Sequence, residues 1–94
     1  MFIAMITFRI IPDKAKEFEK WFSRTNKEFA GHKGLIKRRL LKSSEGGSYV
    51  IMVEHESRET FIAGSGHPDH VKANEQLTPM LAGEPVPQFY EVLI

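Results

Sequence analysis

Three stretches of this chain are apolar on both alternating faces, and that limits the architectures open to it. In Phe2–Phe8, Phe2, Ala4, Ile6 and Phe8 share one parity, while Ile3, Met5 and the less apolar Thr7 share the other. Tyr49, Val50, Ile51, Met52 and Val53 form an unbroken apolar run, and residues 88–94 close the chain as QFYEVLI. A strand with one wet face alternates apolar and polar residues; a strand that does not alternate must be covered on both sides. The 94 residues are read as one domain, 1–94, whose core is adequate but not generous. Its own helices can cover one face of a sheet. The cheapest cover for the other face is a second copy of the chain, so a homodimer is expected.

The segments between these strands carry helix signals. Over residues 13–30, Ala15, Phe18, Trp21, Phe22, Thr25 and Phe29 recur at spacings of three and four, which gives one apolar stripe. Gly31 and Gly34 bracket the helix end. His32, just past it, reads as a solvated residue interacting with the helix dipole. Residues 34–43, GLIKRRLLKS, read as a second strand. Lys37, Arg38 and Arg39 are consecutive and cannot share one face, so this strand is expected to be solvated or at an edge. Residues 44–47, SEGG, form a hairpin loop.

After the Tyr49–Val53 run, Ser57 is an N-cap for a short helix carrying Thr60, Phe61 and Ile62. Gly64, Ser65 and Gly66 break the chain. Pro68 and Asp69 then open another helix, which Thr78-Pro79 ends or kinks. Gly83, Pro85 and Pro87 make a rigid linker into a fourth strand over residues 88–94. The order β-α-β-β-α-β, with the second helical segment split, is ferredoxin-like. It implies an α+β fold with a four-stranded antiparallel sheet and helices on one face.

Composition removes several function classes. There is no cysteine, hence no disulfide, thiolate metal site or cysteine nucleophile. Net charge is +1, and no aromatic residues interleave the basic trio, so nucleic acid is not an expected partner. No apolar run approaches the roughly 20 residues that span a bilayer, so no membrane is expected either. The opening MFIAMITFRII lacks a basic leader and has Arg9 within it, so it reads as a strand and a cytoplasmic location is expected. No phosphate loop, nucleophile elbow or HExxH sequence is present.

Three of the four histidines, His55, His67 and His70, fall between Ser48 and Gly83. A small-molecule site is expected where the strand end, the Gly-rich break and the helix start converge. His55 ends the third strand with the parity of Ile51 and Val53. Beside Glu54 and Glu56 it is either a general base or a surface residue at a turn. His67 and His70 have the i, i+3 spacing of metal ligands, but a third ligand would have to come from Asp69, His55 or Glu54. No metal is therefore expected. Asn74 lies one turn beyond His70 among apolar neighbours, where an amide either meets a ligand or caps a backbone group.

The segments MFIAMITFRIIPDKAKEFEKWF, GLIKRRLLKS, GGSYVIMVEHES and RETFIAGSGHPDH together resemble the antibiotic biosynthesis monooxygenase (ABM) family of dimeric α+β barrel proteins. The resemblance covers nearly the whole chain and rests on element order, lengths and the strand-to-helix signature. Many members carry Trp-Glu-Ser where this chain has His55-Glu56-Ser57, followed by an aromatic residue matching Phe61. It implies a barrel closed by the two sheets of a homodimer, with a pocket between sheet and helices in each subunit. Some members oxygenate aromatic polyketides or quinols without metal or flavin; others bind and degrade haem.

The haem branch's Asn, Trp and His fall by position on Ile6, Gly64 and Asn74, which disfavours that activity here. The polyketide branch's Trp, Tyr and Arg fall on His55, Phe61 and Asn74, so its catalytic set does not carry over either. What carries over is a pocket. The expectation is cofactor-independent oxygenation of a small electron-rich aromatic, quinol- or polyketide-like. His55 or His70 would be the base and Asn74 would orient the anion, with Ile6, Ile51, Phe61 and His67 against the substrate. The alternatives are a non-catalytic small-molecule binding protein of the same fold, or haem or metal binding through His67 or His70.

Overall fold

The first strand of the chain becomes an inner strand of its sheet. The computed structural model describes residues 1–94. Strand β1 (Phe2–Phe8) is followed by helix α1 (Ala15–Phe29), then strands β2 (Leu35–Lys42) and β3 (Tyr49–His55). Helices α2 (Arg58–Ser65) and α3 (Pro68–Leu77) come next, and strand β4 (Val86–Glu91) closes the fold. All pairings are antiparallel and the sheet order is β2-β3-β1-β4. This is the ferredoxin-like α+β arrangement that the element order predicts.

Helices α1 and α3 each bury one side, while α2 brings only the partly buried Phe61 to the core. The α1 stripe of Phe18, Trp21, Phe22, Thr25 and Phe29 is buried. It meets Ala4, Phe8, Ile51 and Val53 of the sheet, and Ala73, Leu77 and Met80 from α3 and the turn after it. Phe18 is fully buried, which contributes roughly 1.5–3 kcal/mol for a side chain of this kind. The Trp21 indole N–H donates to the Ala73 carbonyl at 3.1 Å and ties α1 to α3.

At the start of α2, the Ser57 hydroxyl accepts the Thr60 N–H and the Thr60 hydroxyl accepts the Ser57 N–H. This reciprocal pair satisfies two donors that a helix start leaves orphaned. Pro68 occupies the first turn of α3, and the His67 imidazole caps it by accepting the Asp69 N–H.

Parity divides the sheet as the strand pattern requires. Phe2, Ala4, Phe8, Tyr49, Ile51, Val53 and His55 are buried on the helix side. Ile3, Met5, Thr7, Val50 and Met52 are half-buried on the face without helices. Two boundaries differ from the sequence reading. The α2 helix runs through Gly64 and Ser65, the Ser65 hydroxyl bonding back to the Ile62 carbonyl, so the break falls at Gly66 and His67. Strand β4 starts at Val86 and includes Pro87, because Thr7 and Ile6 of β1 offer it partners there. Proline is tolerated on an edge strand. Leu93 and Ile94 lie past the end of β1 and are exposed.

Candidate functional site

The helix-side face of the sheet and the inner faces of the helices do not close completely. They leave a cavity of about 490 Å³, within the size range of small-molecule sites. Ile6 and Ile51 line it from the sheet, Phe61 from α2, and His55, His70 and Asn74 stand around it. Six of the seven residues singled out from the sequence therefore converge on one space. The seventh, His67, is not among the lining residues. Its Nδ1 is occupied in capping α3, and its ring stacks on His32 at 4.1 Å between centroids.

His55 sits at the end of β3 with only 6% of its surface exposed, so it is not the surface histidine its polar neighbours allowed. Its Nδ1 lies 3.0 Å from the Thr60 hydroxyl, inside the α2 capping network. Its ring meets Phe61 edge-on at 5.6 Å. The other ring edge is near Gly64, where an added Cβ would stand 3.9 Å from Nε2. Loss of hydration lowers the pKa of His55 below the usual 6.5; the Glu56 carboxylate opposes this and His32 adds to it. His70 is also shifted down, first by burial and then by the Arg38 charge, with the Ser65 backbone opposing. Its ring stacks on Phe29, and its Nδ1 is 3.4 Å from the Asn74 amide nitrogen.

Two residues that the sequence reading left at the surface belong to this region. His32 is half-buried and lines the cavity. Its Nε2 bonds the Asp69 carboxylate at 3.0 Å, and its ring stacks on Phe29. Donor atoms of His32, His67 and Asp69 lie within 4.8 Å of one another, so His67 gathers with His32 and Asp69 and not with His70, the partner its i, i+3 spacing suggested. These three also satisfy each other, which fastens the end of α1 to the start of α3.

Arg38 is the second. The register of β2 against β3 shifts between Leu35 and Lys37. This bulge adds a residue, so Leu35 pairs with His55 and Arg38 with Val53, both on the inner face. The guanidinium lies over the Phe22 and Phe29 rings, 4.8 and 4.6 Å from their centroids. Burial pushes its pKa down to about 10, so it remains cationic at neutral pH. A signal for this was present in the sequence: Leu35 and Leu40 have opposite parities, and both can face the core only across a bulge.

The arrangement is a mostly apolar space with the His55 and His70 imidazoles, both shifted down in pKa, on its wall, together with the Arg38 guanidinium. Solved structures with this fold are numerous. A Nitrosomonas europaea protein named as an antibiotic biosynthesis monooxygenase superposes with a TM-score of 0.91 at 14% identity, covering 100% of both chains. A Caulobacter crescentus protein named likewise gives 0.90 at 25% identity, covering 99% of this chain and 90% of that one. SnoaB, a cofactor-independent oxygenase of Streptomyces nogalater, gives 0.83 at 21% identity, covering 97% and 91%. No curated protein matches the chain. The family model for antibiotic biosynthesis monooxygenases matches residues 1–76, from β1 through most of α3. With the strand order, the capped α2 and the sheet-to-helix cavity, that match places this chain in the antibiotic biosynthesis monooxygenase family.

Proposed function

We propose that this chain is a cofactor-independent monooxygenase for a small electron-rich aromatic, such as a quinol or a polyketide-like phenol, bound in the cavity between sheet and helices. The observation that carries this reading is His55: a buried imidazole of lowered pKa on the wall of an apolar cavity large enough for a fused ring system. The fold likeness to SnoaB adds support at the level of architecture.

With Nδ1–H donating to Thr60, the Nε2 lone pair is the free one, and it takes the substrate's hydroxyl proton. The anion gives an electron to oxygen, and the caged pair recombines with formation of a C–O bond. For a quinol the balance is quinol plus O₂ to hydroxyquinone plus water. The ring loses one C–H bond, both oxygen atoms come from O₂, and all four electrons come from the substrate. Asn74 and His70, in contact with each other, orient the anion. No metal or other cofactor enters this scheme. The reading includes a cytoplasmic homodimer whose second copy covers the face of the sheet that bears Met5.

Oxygen uptake with a panel of quinols and hydroxylated polycyclic phenols tests it, on protein dialysed against a chelator. Turnover is expected to survive chelation and to fall by roughly 10²-fold or more in His55→Ala. His70→Ala is expected to matter less. Full activity in His55→Ala with none in His70→Ala would move the base to the helix. Binding of these rings with no oxygen uptake would leave the non-catalytic binding protein.

A further inference from the structure

We propose that Arg38 is the anion-binding residue of the cavity, and that the ligand this site takes is an aromatic carboxylic acid. The substituted ring occupies the apolar space and the carboxylate sits on the guanidinium. Among the 22 residues lining the cavity there is no Asp or Glu, and Arg38 is the one Lys or Arg. It takes no part in the Lys14–Glu17 and Arg24–Glu28 ion pairs, nor in the contacts of His32 and His67 with Asp69. The single hydrogen bond of its side chain is a long one, 3.4 Å, to a Thr25 hydroxyl that itself donates to the Phe22 carbonyl.

A guanidinium has five N–H donors. The rings of Phe22 and Phe29 attract its charge through their faces but accept little from its N–H groups. The remaining donors are not sealed from water, and Arg38 lines the cavity. An anionic group of a ligand in that space can take them in a setting less polar than bulk water, where a charge-assisted pair is strong.

Carboxylate fits better than phenolate for two reasons. It is already ionised at neutral pH, before any base acts, and it meets the guanidinium fork in a bidentate way. Along the inner wall, Val53 pairs with Arg38 and His55 with Leu35. Arg38 and His55 are therefore diagonal neighbours on adjacent strands, their backbones roughly 7–8 Å apart. One aromatic ring system can place its carboxylate at one and a hydroxyl at the other. This assignment rests on the proposed function only in using the same cavity, because binding needs no turnover.

The test is a pair of probes: a hydroxynaphthoate, and the naphthol that lacks its carboxyl group. Calorimetry gives both affinities, and emission of Trp21, the one tryptophan and a cavity-lining residue, reports whether the cavity is occupied. The wild-type protein is expected to bind the acid at least tenfold more tightly than the naphthol. Arg38→Met should remove that preference, leave naphthol affinity unchanged, and fold with an equal or higher melting temperature, since an unpaired charge has gone. If the Met variant does not fold, Arg38→Lys keeps the charge without the fork and should lose most of the acid preference while still binding naphthol. Equal affinities for the two probes in the wild-type protein, or an acid preference unchanged in the variants, would overturn the assignment. A lack of oxygen uptake would remove the oxygenase reading and leave this one standing.

Discussion

Loss of hydration holds the His55 imidazole pKa below the usual 6.5 and so favours the neutral ring. That neutral ring is the base of the proposed reaction and a pH-sensitive part of the fold. Burial is the leading cause of its lowered pKa, ahead of the opposing Glu56 carboxylate. In the unfolded chain the imidazole titrates near 6.5, so below that value the unfolded state binds the proton that the folded state refuses. Stability contributed by the neutral His55 is then full above about 6.5 and is lost as pH falls from there through the lower folded value. His70 shifts in the same direction and adds to the slope. Melting temperature is expected to decline from pH 7.5 to 5, and the decline should be shallower in His55→Gln. The proposed oxygenation, in which the neutral His55 acts as base, is expected to rise with pH through an inflection below 6.5. An inflection above 6.5 would mean that the carboxylate dominates in the bound state.

The element that aims His55 is the α2 capping turn, and one glycine allows it to sit where it does. Gly34 has φ +83°, and its carbonyl accepts the Glu56 N–H at 2.8 Å. A Cβ there would overlap the side chain of Thr60, the residue whose hydroxyl contacts His55. Gly34→Ala should therefore cost more than the roughly 1–2 kcal/mol of left-handed strain alone. Gly31→Ala supplies the comparison, since Gly31 has φ +92° with nothing within 4 Å of the added carbon. Thermal melts should show a larger drop for Gly34→Ala, and that variant alone should also lose oxygen uptake. Equal losses would mean that the Thr60 contact is soft.

Local chemistry made much of this element legible. Ser57 and Pro68 mark helix starts by properties of their own, and the alternation of Tyr49, Ile51, Val53 and His55 sets their common face. His32 was not legible because what places it is remote, and Arg38 was legible only through the opposite parities of Leu35 and Leu40, which hint at the bulge. His32 is fixed by Asp69, 37 residues away, and Arg38 by the pairing register of β2 on β3. Neither the register nor the bulge follows from the basic trio itself.

At the scale of the molecule, the sheet has one dressed face and one bare one. Ile3, Met5, Val50 and Met52 lie toward the bare face without being buried, and Tyr90 and Val86 beside them are 49% and 58% exposed. The chain tail adds Val92, Leu93 and Ile94, all exposed. Exposed apolar surface of this extent, here rimmed by Lys37, Arg39 and Glu54, is a feature of protein interaction sites. A self-complementary pairing of two identical sheets would cover both bare faces at once. An obligate interface of this kind buries roughly 2,000 Å² or more, and the folded monomer then has little stability of its own. Light scattering at micromolar concentration is expected to return twice the 10.8 kDa chain mass. Met5→Asp places a carboxylate on the bare face directly between Met52 and Gln88, with the nearest cation of that row, Arg39, one strand further on beyond Met52. Its desolvation in the dimer would cost several kcal/mol. The variant is expected to dissociate to monomers or to aggregate, with a lower melting temperature. A soluble dimer with an unchanged melt would place Met5 outside the interface, and a wild-type monomer with full helix and strand signal would remove the second copy from the proposal.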